Sequence, residues 1–148
     1  TPYLILDGEL ETALRFAAER GVDVHLILPG KPDKAFAYAL AKTHYLPLLS
    51  SGVKISEWTP GFTHAKVMIM DGQEAVVGTI NLDYRSLYHH FEDAVWVRGV
   101  DCLPRIEADF QDTLAQCRTV EPTRQSIWQG KKLLHLVGIV LKFIAPLI

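Results

Sequence analysis

Apolar positions recur at helical spacing over Leu10, Ala13, Leu14, Ala17 and Ala18, with Asp7 placed to cap the first turn and Gly21 to stop the last. Residues 22–28 then read as a strand, which the cluster Pro29-Gly30-Lys31-Pro32-Asp33 ends. A second helix is predicted over 33–49, carrying Phe36, Ala39, Leu40 and Leu46, and a strand over 53–58. Two short apolar runs, 66–70 and 74–79, flank Asp71-Gly72-Gln73 and predict a hairpin with glycine in the turn. A loop and helical turn over 81–88, a strand over 91–97 and a helix through Leu103, Ile106, Phe110 and Leu114 complete the pattern. Helices alternating with apolar strands define an α/β fold whose sheet is covered on both faces.

The hairpin carries the chemistry. His64 and Lys66 stand two apart at its entry, and residues two apart on extended chain project to one side, so both are expected in one cleft. Gly78-Thr79-Ile80-Asn81 leaves the hairpin's second strand. A neutral imidazole can attack phosphorus and form a covalent phosphohistidine. Lys66 would offer a point charge to the non-bridging oxygens, Asn81 an amide donor and Gly78 a close backbone approach, with no metal or cofactor required.

The run HAKVMIMDGQEAVVGTINLDYRSLYHHFED resembles the second His-Lys-Asp motif of the phospholipase D superfamily, and more closely that of bacterial cardiolipin synthases. The likeness extends to TPYLILDGEL, GVDVHLILPGKPD, SGVKISEWTPGFTHAK and NLDYRSLYHHFE. It implies a phospholipase D-like half: a mixed β-sheet with helices on both faces, giving one of two motifs to a shared site. It also implies that His64, Lys66 and Asn81 are pocket residues, that Glu92 holds the histidine ring, and that Asp71 is the motif's aspartate, bracing the hairpin. Gly78 and Thr79 would line the phosphate pocket, and Arg85 would meet a second phosphate or pair with Asp83 or Asp93. His89, His90 and Asp93 depart from the family pattern, which has an Asn before the Phe-Glu pair. Adjacent helical residues point about 100° apart, so His89 and His90 read as a polar rim in preference to a metal pair.

Only one His-x-Lys occurs among the 148 residues, so the other half of the site is expected upstream in a longer chain, in a separate chain, or in a homodimer partner. The opening Thr1-Pro2-Tyr3-Leu4-Ile5, without Met or a secretory signal, is read the same way, as part of a larger chain. The hydrophobic content of 49% suffices for one domain core. Cys102 and Cys117 bracket a helix and would lie roughly 22 Å apart at its rise, too far to bridge, which fits a reducing compartment.

Charge is divided unevenly. Residues 1–117 carry ten Lys and Arg against sixteen Asp and Glu, and residues 118–148 carry five against one. So acidic a body lacks the footprint of a nucleic-acid binder. The sequence divides into a catalytic half-domain, 1–118, and a segment, 119–148, made of a linker around Pro122 and a basic amphipathic helix. In that helix Lys131, His135, Gly138 and Lys142 form one narrow polar stripe, and apolar residues cover the rest. It is short for a membrane span. An in-plane helix on an anionic phospholipid surface is expected, with packing on the missing half as the alternative.

The resemblance implies a phosphatidyltransferase that makes cardiolipin from phosphatidylglycerol through a phosphohistidine, peripheral or monotopic at a bacterial cell membrane. Hydrolysis of a phospholipid or nucleic acid, and a non-catalytic lipid-binding half, remain the alternatives.

Overall fold

The structure, a computed structural model, describes residues 1–147. In chain order the strands are β1 (Leu4–Ile5), β2 (His25–Pro29), β3 (Lys54–Trp58), β4 (Val67–Met70), β5 (Glu74–Gly78), β6 (Leu82–Asp83), β7 (Ala94–Arg98) and β8 (Cys117–Thr119). The helices are α1 (Gly8–Glu19), α2 (Ala35–Ser50), α3 (Leu103–Leu114), α4 (Arg124–Trp128) and α5 (Lys132–Leu141). A π-helical turn, Arg85–His89, precedes β7, and a 3-10 segment, Lys142–Leu147, continues α5.

The local signals explain most of the boundaries. The Asp7 carboxylate accepts from the Leu10 N–H at 2.7 Å, and Gly21 leaves α1 at φ +93°. β2 starts three residues later than the apolar pattern predicts, because a tight turn closes from the Val24 N–H to the Val22 carbonyl. α2 starts at Ala35, not at Asp33, whose carboxylate instead accepts from the Tyr3 hydroxyl at 2.5 Å. The hairpin turn places Asp71 at φ +53° and Gly72 at φ +64°, with the Gln73 N–H bonded to the Met70 carbonyl. That is the twist of a type I′ turn.

The fold is mixed α/β, with its strands hydrogen-bonded in three groups. β1 pairs with β6 in parallel, β2 with β3 in parallel and β3 with β8 antiparallel, and β4, β5 and β7 form an antiparallel sheet with β5 central. Helices do not cover this last sheet evenly: Ala75 is buried, but Val67, Val77, Val95, Met68 and Trp96 are exposed. The main core gathers Leu4, Leu28, Tyr45, Leu48 and Ile55 with Val120, Ile127 and Trp128. Residues 117–128 therefore close the same core, and position 118 lies inside β8. Both cysteines are free thiols.

Beneath that closure lies a buried charge network. Glu57, on β3, receives Lys42 at 2.9 Å, Tyr45 at 3.1 Å and Arg118 at 2.6 Å, and Lys42 also donates to the Ile127 carbonyl at 2.5 Å. Burial pulls the Lys42 pKa down, and the adjacent Glu57 carboxylate opposes that shift. Removing one partner of such a network leaves the other charges buried and unpaired. Glu57→Gln is therefore expected to cost about 3–5 kcal/mol and to lower Tm by roughly 10 °C, measured by thermal unfolding. A Tm within two degrees of the parent would remove Glu57 as the carboxylate on which this network depends.

Candidate active site

The cleft opens where the hairpin's open end meets the strand entering β7. His64, Ala65, Lys66, Val67, Val77, Gly78, Thr79, Asn81, His90 and Glu92 line a volume of about 540 Å³. His64 and Lys66 share it as their spacing predicts. They do so from the irregular segment before β4 and not from a strand, and the chain there is held by the Gly78 N–H donating to the Lys66 carbonyl at 3.2 Å.

His64 is exposed, its ring resting on Phe62 with centroids 5.7 Å apart. Phe62 in turn lies 6.5 Å from Tyr3. No hydrogen bond to either imidazole nitrogen occurs among the described residues, so both face the cleft or solvent. Lys66 donates to the His64 carbonyl at 2.8 Å, which leaves two of its three ammonium donors available. Desolvation lowers the Lys66 pKa, while the Glu92 and Asp83 carboxylates pull it back up. The Asn81 N–H donates to the Ser86 hydroxyl at 3.1 Å, and its side-chain oxygen is buried without a donor.

Glu92 lies in the cleft, yet not on His64. Its carboxylate accepts from the Thr79 hydroxyl and stands 3.6 Å from His90 Nδ1. Topology gives the reason: β5 is central, with His64 before β4 on one side and Glu92 before β7 on the other, about two strand spacings or ~10 Å between backbones. Hydrogen bonds from Thr79 and Ser86 hold the Glu92 carboxyl below its ordinary range, with smaller contributions from His90 and Lys66. The Thr79 N–H donates to the Asp93 carbonyl at 2.9 Å, and the Asp93 N–H returns to the Thr79 hydroxyl at 2.9 Å. Thr79 thus ties the end of β5 to the segment that enters β7.

Gly78 lines the cleft, and the neighbouring strand leaves no room for a side chain there: a Cβ would run into the Asp93 carbonyl oxygen and lie 2.6 Å from the Ala94 Cα. Asp71 sits at the far turn, exposed, left-handed and outside the cleft, and its carboxylate makes no hydrogen bond among the described residues. Arg85 is exposed at the start of the π-turn, outside the cleft lining, and makes no ion pair with Asp83 or Asp93 among the described residues. Asp83 instead caps the turn by accepting from the Ser86 N–H at 2.8 Å. One polar cleft group was not predicted as a pocket residue: His90 stands two before Glu92, the same spacing that placed Lys66 beside His64, while Phe62, two before His64, supports that ring from outside the lining. Among the described residues no cluster of three or more His, Cys, Asp or Glu is arranged to hold a metal ion.

Known proteins share this arrangement of elements. The family described as cardiolipin synthase, phospholipase D-like domain, matches residues 1–114. An uncharacterized protein of Streptococcus mutans is 60% identical over 148 residues, covering all of this chain and 32% of that protein. Cardiolipin synthase 2 of Bacillus anthracis is 35% identical over 150 residues, covering 100% of this chain and 28% of the other. The chain therefore spans roughly a third or less of the length of the curated relatives it matches. In fold it is similar to the phosphatidylserine synthase of Haemophilus influenzae Rd KW20, with a TM-score of 0.74 and 16% identity over 100% of this chain and 40% of that one. It is also similar to Nuc of Salmonella typhimurium, a phospholipase D family member, with a TM-score of 0.70 and 21% identity over 81% and 78% of the two chains. With the family matched across most of its length and the fold shared with phospholipase D relatives, the chain belongs to the cardiolipin synthase branch of the phospholipase D-like proteins.

Proposed function

We propose that the chain supplies one of two His-Lys halves of a phosphatidyl-transfer site that makes cardiolipin from phosphatidylglycerol. The observation that carries this reading is the meeting of His64, Lys66 and Asn81 in one open cleft, with two Lys66 donors free and the imidazole nitrogens unengaged. In the first step a histidine of the second half forms an N–P bond as the P–O bond to glycerol breaks, and His64 protonates the departing alkoxide. In the second step a hydroxyl of another phosphatidylglycerol attacks phosphorus, His64 takes its proton and the N–P bond breaks. Lys66 and the Asn81 amide hold charge on the non-bridging oxygens. Arg85 and Asp71 stay outside this chemistry, and Thr79 with Glu92 keeps the cleft in shape.

Product analysis tests the reading. With a second half present, short-chain phosphatidylglycerol plus excess primary alcohol is expected to give the phosphatidyl alcohol at the expense of phosphatidic acid. Phosphatidic acid alone, unchanged by alcohol, would make the protein a hydrolase. Inertness in both mixtures would leave a lipid-binding half and overturn the proposal.

A further inference from the structure

α5 and the 3-10 segment after it are apolar on the side turned away from the body. The inward positions are Leu134, Gly138, Leu141 and Ala145, spaced four, three and four apart. Gly138 seats the helix: a Cβ there would lie 2.5 Å from the Ala39 carbonyl oxygen of α2. The polar stripe predicted through Lys131, His135, Gly138 and Lys142 is thus partly spent on the body, with Gly138 against α2 and His135 stacked on Trp128 at 4.5 Å. Outward stand Leu133, Leu136, Val140, Phe143 and Leu147, exposed by 76, 59, 59, 86 and 86%. Their spacing makes one continuous ridge. No helix among the described residues is long and apolar enough to cross a membrane.

We infer that this ridge docks on the surface of an anionic phospholipid bilayer, lying in its plane. Lys131, Lys132 and Lys142 flank the ridge, exposed, and residues 124–148 carry no Asp or Glu. A second copy seated on the same ridge would set basic face against basic face, which like-charge repulsion opposes. An anionic surface takes the apolar side chains and the cations together. The ridge also adjoins the site: His89, on the π-turn leading to His90 and Glu92, lies 3.2 Å from the Pro146 carbonyl, and Tyr84 packs against the cluster containing Ala145. Docking would therefore bring the cleft's rim to the lipid headgroups. The choice of a bilayer over a protein rests on the phospholipid reading above.

The test is co-flotation of the chain with vesicles of phosphatidylglycerol in phosphatidylcholine and of phosphatidylcholine alone. Binding is expected to the first, weakened but not abolished by salt, because screening acts on the charges and leaves the apolar contact. Leu136→Glu/Val140→Glu is expected to lower it about tenfold or more with Tm unchanged, since both side chains are exposed. Lys131→Gln/Lys132→Gln keeps the ridge and is expected to remove the preference for anionic vesicles, a result that misfolding would not give. Equal flotation of parent and Glu variant would overturn the inference. So would a parent dimer or complex in solution that the Glu variant dissolves without any vesicle binding. With a second His-Lys half supplied, vesicle binding without phosphatidyl transfer would leave docking intact and defeat the functional reading, whereas transfer from detergent-dispersed lipid without vesicle binding would do the reverse.

Discussion

His64→Ala is expected to lower phosphatidyl transfer by about a thousandfold while leaving the fold as it is, because the imidazole is the proton carrier of both half-reactions. The side chain is exposed, rests on Phe62 by one ring contact and makes no hydrogen bond from either nitrogen, so its removal opens no core cavity. The experiment is a transfer assay on the assembled two-half enzyme, with Tm measured alongside. An inactive variant that melts with the parent supports the role; full turnover in a folded variant removes His64 from the chemistry and with it the proposed site. The Glu57 network supplies the contrast, since a change there acts on Tm first, through buried charges remote from the cleft lining.

The parts of this fold that are local in cause are legible in the sequence. Asp7 capping α1, Gly21 ending it and Gly72 in the hairpin turn all follow from short-range rules, and the structure places each as the residues suggest. The i, i+2 spacing of His64 and Lys66 puts both in one cleft even though neither lies on a strand. What the pattern could not carry is anything decided by a partner distant in sequence. Glu92 looks like the orienting acid for His64 until the strand order places β5 between them. At Gly78 the sequence does not show the constraint from the neighbouring strand, where Asp93 and Ala94 occupy the space that a side chain would need. In the C-terminal helix the periodicity shows two faces without saying which one turns inward. A glycine within the polar stripe was the available clue, because a backbone can approach another only where there is no Cβ, and Gly138 meets α2 there.

The chain by itself is expected to show no phosphatidyl transfer, and to acquire it only with a second His-Lys half, whether from elsewhere in a longer chain, from a separate chain or from a symmetric copy. A histidine that carries the phosphoryl group on nitrogen cannot also protonate the alkoxide leaving that phosphorus, so the reaction needs two imidazoles facing across it. His64 is one. His90 also lines the cleft, but beside Glu92 at 3.6 Å, on the opposite side of β5 from His64. The antiparallel sheet next to the cleft exposes Val67, Val77 and Val95 in one register row, an apolar surface of the kind a second half would cover. An isologous dimer could provide that half by bringing the same patch from two copies together. The measurement is transfer by the chain at defined mass, alone and with a supplied first half, together with a His90→Ala variant. Activity that appears only on addition, or only in a dimeric fraction, is the expected result. Activity from a monomer that His90→Ala abolishes would establish a single-chain pair of imidazoles and overturn the two-half account.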